Sequence, residues 1–129
     1  MLFIPKLDNR RLSGIVQVPV SKSMANRSLI IHALSNQVLP DVDMNASNDI
    51  LVLKRALSGK DETIDFEDAG TPLRLYLAFA ALKGNSGKWL KGSKRLCERP
   101  IKDLLLALEQ LGAVFEFSNE AYRLPLRIV

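Results

Sequence analysis

Residues Leu73 to Lys83 read as a helix that is apolar on nearly every side, with Leu75, Tyr76, Leu77, Ala78, Phe79, Ala80, Ala81 and Leu82 in unbroken succession. Such a helix is normally buried within its domain, so other elements must enclose it. Its start is well marked. Gly70 permits close backbone approach or a positive φ, Thr71 is a good N-cap, and Pro72 suits the first helical position. Arg74 is the polar exception in the first turn. Free N–H groups at a helix start favour anions, so Asp68-Ala69-Gly70-Thr71-Pro72-Leu73-Arg74 reads as an anion cradle. An ordinary capped core helix with a snorkelling arginine uses the same residues.

A second segment carries the same chemistry. Pro19-Val20-Ser21-Lys22-Ser23-Met24-Ala25-Asn26-Arg27-Ser28 opens the first long helix, with Ser21 or Ser23 as N-cap. Lys22, Ser23, Asn26 and Arg27 then span an arc of roughly 140° at helical spacing. The residues behind them, Leu29-Ile30-Ile31 and Ala33-Leu34, are apolar and can anchor the helix in a core. A solvated charged face is the bland account, and a phosphate or carboxylate site the sharper one.

The third segment is Lys94-Arg95-Leu96-Cys97-Glu98-Arg99-Pro100-Ile101. It precedes a helix starting at Pro100, which buries Ile101, Leu104, Leu105, Leu108 and Leu111, and Gly112 ends that helix. Arginines in such a turn can grip a carboxylate or phosphate bidentately, with Glu98 orienting one of them. A surface cluster with a weak ion pair is the alternative.

Taken together, the three segments resemble 5-enolpyruvylshikimate-3-phosphate synthases. That family carries an S-K-S-x-x-N-R run, an N/D-A-G-T segment heading a central helix, and an R-x-x-E-R-P-I turn. All three occur here in that order, as Ser21–Arg27, Asp68–Thr71 and Arg95–Ile101, and the resemblance runs from about Gly14 to the end. It implies transfer of the enolpyruvyl group of phosphoenolpyruvate to the 5-hydroxyl of shikimate 3-phosphate, with release of phosphate and without a cofactor or metal. By the same resemblance Lys22 contacts phosphoenolpyruvate and takes part in proton transfer, and Ser23 and Arg27 hold shikimate 3-phosphate. Gly70, flanked by Asp68 and Thr71, lies against phosphoenolpyruvate, and Arg95 clamps one of its charged groups. The reaction passes through a tetrahedral adduct, which preorganised cations can steady.

The departures are specific. Asp68 stands where Asn is commoner in the family, and Ser47-Asn48-Asp49 replaces the more usual Ser-Asp-Asp. Val20 replaces a small residue, and Gly59–Thr63 runs quickly into Asp68. The related UDP-N-acetylglucosamine enolpyruvyl transferases use a loop cysteine, but it lies farther upstream of an Arg-Pro pair than Cys97 does, and their first motif lacks Ser-Lys-Ser. Cys97 therefore reads as a packed bystander. His32 has no second histidine to share a metal with. Family members are much longer, two-domain enzymes. The chain is accordingly expected to be an N-terminal portion, inactive alone, whose partner is the remaining C-terminal part. A free-standing anion-binding or interaction module is the competing reading.

An alternating pattern completes the expectation. Strands are expected at Leu2–Pro5, Ile15–Pro19, Val38–Val42, Thr63–Glu67, Lys88–Lys91, Ala113–Phe117 and Tyr122–Ile128. Helices are expected at Lys22–Ser35, Asn48–Ser58, Pro72–Lys83 and Pro100–Leu111, and Ser118-Asn119-Glu120 should turn a hairpin. This is an α+β class, and the resemblance makes it a partial domain of repeated βαβαββ units. Residues 1–19 would then belong to the other domain of the whole enzyme, and 20–129 to one substrate-binding domain. With 129 residues, 47% of them hydrophobic, one modest core is expected. A net charge of +4 spread along the chain suits small anions; no Lys/Arg block suggests nucleic acid, and no apolar run is long enough to span a membrane. Met1–Pro5 lacks the basic leader and cleavage site of a signal peptide, and a single cysteine fits a reducing cytoplasm.

Overall fold

The computed structural model describes residues 13–16, 18–43, 45–59, 61–83 and 87–129. Among them the chain forms α1 (Lys22–Leu34), α2 (Asn48–Leu57), β1 (Thr63–Asp65), α3 (Gly70–Leu82), β2 (Trp89–Lys91), α4 (Lys94–Cys97), α5 (Lys102–Gln110), β3 (Phe115–Phe117) and β4 (Leu126–Ile128). The strands lie in the order β1-β2-β4-β3. β1 and β2 are parallel, joined over α3, whereas β4 is antiparallel to both β2 and β3. This is a mixed α/β architecture with a small mixed sheet.

Helix ends follow local chemistry. Ser21 caps α1 by accepting from the Met24 N–H at 3.5 Å. At the other end Asn36 takes a left-handed φ of 54°, and the N–H groups of Asn36 and Gln37 donate to Ala33 and His32. Gly112, at φ 95°, does the same for α5: its N–H donates to Glu109 and that of Ala113 to Leu108. Both are Schellman closures, which return otherwise orphaned carbonyls to hydrogen bonds. α2 carries Asp49 in its first turn and Lys54 and Arg55 in its last, matching the helix dipole.

The core gathers Leu53 of α2, Leu73 and Leu77 of α3 and Leu105 of α5 with Ile64, Leu90, Leu126 and Ile128 from one face of the sheet. The opposite face carries Trp89 paired with Arg127, whose guanidinium lies 5.1 Å from the indole centroid and pairs with Glu116. Strand alternation thus sorts apolar from charged side chains across the sheet.

Several expectations need correction. Residues 15–19 and 38–42 form no strand among the described residues, despite β-branched composition; Ile15, Val16 and Val38 are 98%, 82% and 91% exposed. Propensity without a neighbouring ladder does not make a strand. α3 begins at Gly70, with Ala69 as cap, so Thr71 is not the N-cap and Pro72 is not the first helical residue. Nor is α3 enclosed all round: Leu73, Tyr76, Leu77 and Ala80 are buried, but Leu82 is exposed. The segment around Arg95 is the short helix α4 rather than a turn, and α5 starts at Lys102 rather than Pro100. The turn joining β3 and β4 is longer than a three-residue hairpin, running from Ser118 to Pro125. Leu2–Pro5 lies outside the described residues.

Candidate functional site

The three motifs fold to one end of the molecule because each sits at a helix start near the C-terminal ends of the parallel strands β1 and β2. A chain of polar contacts ties these starts together. Lys22, the first residue of α1, pairs with Asp49 in the first turn of α2 at 3.1 Å. Asn48, the first residue of α2, donates through Nδ2 to Glu67 at 2.7 Å, just beyond β1. One residue on, Asp68 accepts from Ser93 Oγ at 2.6 Å, and Ser93 caps α4 by accepting from the Leu96 N–H. Gly70 then opens α3. Four helix N-termini, with their free N–H groups, therefore converge on one region.

Backbone geometry makes this possible. Glu67 takes a left-handed φ of 51°, supported by its N–H donating to Asp65 Oδ1 at 2.8 Å. Its carbonyl accepts from the Ser93 N–H at 2.8 Å, so the loops leaving β1 and β2 are zipped to each other. Gly92 is needed at that crossing, since a Cβ there would lie 3.1 Å from the Glu67 carbonyl oxygen and 2.5 Å from Leu96. At the next crossing the guanidinium of Arg99 lies against Gly70.

The expected site residues divide by exposure. Lys22, Ser23, Arg27, Asp68, Thr71 and Arg95 are exposed at this end, and Gly70 is buried in the first turn of α3. The side chains of Ser23, Arg27, Thr71 and Arg95 make no hydrogen bond or ion pair with any described residue. Lys22 and Asp68 are engaged, by Asp49 and Ser93. Asn26 departs from its expected place on the exposed arc. It is 1% exposed, and both polar atoms of its amide lack a hydrogen-bond partner among the described residues. Arg74 is a tie rather than part of a cradle, donating to the Pro100 carbonyl at 2.8 Å, and Glu98 orients no arginine among the described residues.

Sequence reasoning passed over Ser93, and named Asp49 only as a family departure and Arg99 only as one arginine of its turn. Serine immediately before Lys94 was a legible N-cap signal for α4. Nothing in the order of residues indicates that Asp49 meets Lys22 or that Arg99 meets Gly70. His32 Nδ1 lies 2.8 Å from the Ser28 carbonyl, which can only accept, so that nitrogen carries the proton within α1. Cys97 is half-buried, with its Sγ 3.7 Å from the Gly92 carbonyl.

A recess of about 460 Å³ lies elsewhere, at the opposite ends of β1 and β2, bordered by Asp61, Glu62, Lys88 and Trp89. Lys88 donates there to the carbonyls of Gly59 and Asp61, so its charge is spent on holding the loop. This recess contains none of the motif residues. Among the described residues no helix is long and apolar enough to cross a membrane.

Comparison with known proteins agrees with the motifs. Residues 42–129 match the family described as EPSP synthase (3-phosphoshikimate 1-carboxyvinyltransferase). A 3-phosphoshikimate 1-carboxyvinyltransferase of Bacteroides fragilis is 41% identical over 122 residues, covering 92% of this chain and 28% of its own length. One from Cupriavidus taiwanensis is 35% identical over 142 residues, with 92% and 32% covered. A chloroplastic one from Brassica napus is 33% identical over 150 residues, with 92% and 29% covered. The chain thus spans less than a third of the length of each of these relatives, across 92% of itself. On the family match and these relatives together, the chain belongs to the EPSP synthase family.

Proposed function

We propose that this chain supplies one half of the active site of a 3-phosphoshikimate 1-carboxyvinyltransferase. The reaction moves the enolpyruvyl group of phosphoenolpyruvate to the 5-hydroxyl of shikimate 3-phosphate and releases inorganic phosphate. In the addition step the hydroxyl gives up its proton as its oxygen bonds to C2 of phosphoenolpyruvate, and C3 gains a proton. In the elimination step the C2–O bond to phosphate breaks and C3 loses a proton. No redox change occurs, so cationic side chains and a proton carrier suffice.

The observation that carries this reading is the convergence of the α1, α2, α3 and α4 starts, with the three motifs at those of α1, α3 and α4, at one end of the parallel strands. Ligands in open α/β sheets gather at the C-terminal ends of strands. Lys22 is the proposed catalytic residue, shuttling a proton near phosphoenolpyruvate, with Asp49 holding its amine until substrate competes for it. Ser23 and Arg27 are proposed to bind shikimate 3-phosphate, and their lack of partners among the described residues leaves their donors open for it. Gly70, Thr71 and Arg95 are proposed to face phosphoenolpyruvate. Asp68, engaged by Ser93, is proposed to border it by shaping the loop.

The repeated βαβαββ organisation of the family, the assignment of residues 1–19 to a second domain and of 20–129 to a substrate-binding domain, and a cytoplasmic location belong to the same proposal. So does the C-terminal part of a whole enzyme as the partner that completes the site, which leaves the 129-residue chain inactive alone. The test is a titration of the isotopically labelled chain with shikimate 3-phosphate, followed by amide NMR, with sulfate and a Lys22→Ala/Arg27→Ala double variant as controls. Shifts centred on residues 21–27, larger than those from sulfate and abolished in the variant, are expected. A folded spectrum that does not respond rejects a preformed half-site.

A further inference from the structure

Ser93 is half-buried, and its backbone and side chain together join two of the three motifs. Its N–H donates to the Glu67 carbonyl at 2.8 Å, just beyond the bond from the Phe66 N–H to the Lys91 carbonyl, so the pairing of β1 with β2 runs on into the two loops. Its carbonyl accepts from the Cys97 N–H at 3.0 Å, the first bond of α4. Its Oγ accepts from the Leu96 N–H at 3.1 Å and lies 2.6 Å from Asp68 Oδ1. An N–H only donates, so the hydroxyl proton is the one that goes to Asp68. Backbone pairing thus fixes where the residue stands, and one hydroxyl serves both a carboxylate and a helix start.

Both contacts bear on residues that the functional reading places beside phosphoenolpyruvate. α4 is a single turn, and the bond from the Leu96 N–H back to Ser93 closes a ring that contains Lys94 and Arg95, so Arg95 lies inside the capped turn. The other ties, from Arg123 to the Cys97 carbonyl at 3.2 Å and from Arg74 to the Pro100 carbonyl at 2.8 Å, hold the exit of α4, after Arg95. Asp68 precedes Gly70 by two residues, and a carboxylate free to turn toward a bound anion would repel it. We infer that Ser93 is a positioning residue: its hydroxyl pins the Asp68 carboxylate and caps the turn carrying Arg95, so that Arg95 rather than Asp68 meets an anion at the α3 start. The inference rests on the functional reading above. It also accounts for an aspartate at position 68, since the serine hydroxyl supplies the donor that a carboxylate needs.

The test uses the 129-residue chain as wild type and as Ser93→Ala, Ser93→Thr, Ser93→Asp, Asp68→Ala and Asp68→Ala/Ser93→Asp variants. Each is titrated with phosphoenolpyruvate under amide NMR. Ser93→Ala removes both side-chain contacts and is expected to weaken binding about tenfold, as loss of one well-aimed charge-assisted contact would. Ser93→Thr keeps the hydroxyl and should bind as the wild type does. Aspartate caps a helix as well as serine does but has no proton to give Asp68. A residue that merely stabilised α4 would let Ser93→Asp bind normally, whereas here it too should bind about tenfold more weakly. In the Asp68→Ala background that loss should shrink to about threefold or less, because it comes chiefly from the released Asp68 and not from the added charge. Normal binding by Ser93→Ala or Ser93→Asp, weakened binding by Ser93→Thr, or an undiminished loss in the Asp68→Ala background overturns the inference. If Ser93→Ala does not fold, the remaining variants decide. If the wild type binds no phosphoenolpyruvate, the functional reading fails separately, and the unliganded spectra decide the geometry. Ser93→Ala must then shift the Asp68 carboxyl carbon and speed exchange of the Leu96 amide, Ser93→Asp must do only the first, and Ser93→Thr neither. Any other pattern rejects the inference.

Discussion

Asp49 is the carboxylate left in a motif that usually carries two, and it sits 3.1 Å from Lys22. Its neighbour Asn48 donates to Glu67, a contact that an aspartate at position 48 would turn into repulsion. The family departure at position 48 therefore has a local reason, which the identity of Glu67 alone does not reveal. Asp49→Asn is expected to leave stability within about 1 kcal/mol, since a half-exposed ion pair contributes little. It should tighten sulfate binding at the α1 start about fivefold by removing a nearby negative charge, as read by NMR titration. Tyr122 offers a second residue-scale test. The Glu109 carboxylate beside it, then partial burial, then the hydrogen bond at 3.3 Å push its hydroxyl above the ordinary value of 10.0. The folded chain thus holds that proton longer than the unfolded chain does. The stabilisation is complete below the ordinary tyrosine value and disappears as pH rises through the folded one. Urea denaturation across alkaline pH should show this decline, and Glu109→Gln should flatten it.

At the scale of elements, the caps decide where helices stop. Gly112 has a φ of 95° with no atom within 4 Å of the point a methyl group would occupy, so an alanine there meets only backbone strain. Gly112→Ala should cost about 1 kcal/mol in chemical denaturation. Gly14, equally open but without a positive φ, should tolerate alanine with no loss. The same local rules explain what could be read in advance. α1 and α2 fall within a residue or so of expectation because Ser21, Ser47 and Gly59 are local signals. The four strands found are shorter than expected, and residues 15–19 and 38–42 form none among the described residues, because a strand exists only where a neighbour accepts its hydrogen bonds. That neighbour is not written in the segment itself. α4 escaped notice because its charged residues resemble a turn, although Ser93 signalled its cap. The candidate site was legible as three separate motifs. Their convergence was implied by the family resemblance but not by the residues of any one motif, since it depends on long-range contacts such as those from Lys22 to Asp49 and from Asp68 to Ser93.

The whole molecule couples a small core to a broad apolar exterior. Leu90, fully buried in β2, holds sheet and helices together, and Leu90→Ala should cost about 2–5 kcal/mol, a large part of the stability of a domain this size. Outside the core, Ile15, Val16, Val18 and Val20 are 98%, 82%, 80% and 75% exposed, and Met24 and Ile31 extend the apolar surface along α1. An Ile15→Ser/Val18→Ser variant should bind less of a hydrophobic fluorescent dye while keeping the Tm of the parent, because neither side chain is in the core. Direction is the remaining feature with a consequence at this scale. α1 and α3 are each 13 residues long, and Lys83 at the end of α3 reaches Asn36, just past the end of α1, at 2.9 Å. Their starts also share one end, so the two run side by side the same way, over about 20 Å. Their fields add instead of cancelling, and an approaching anion is drawn toward that end before it meets any side chain. The chain should therefore capture its anions quickly in dilute buffer and progressively more slowly as added salt shortens the reach of that field.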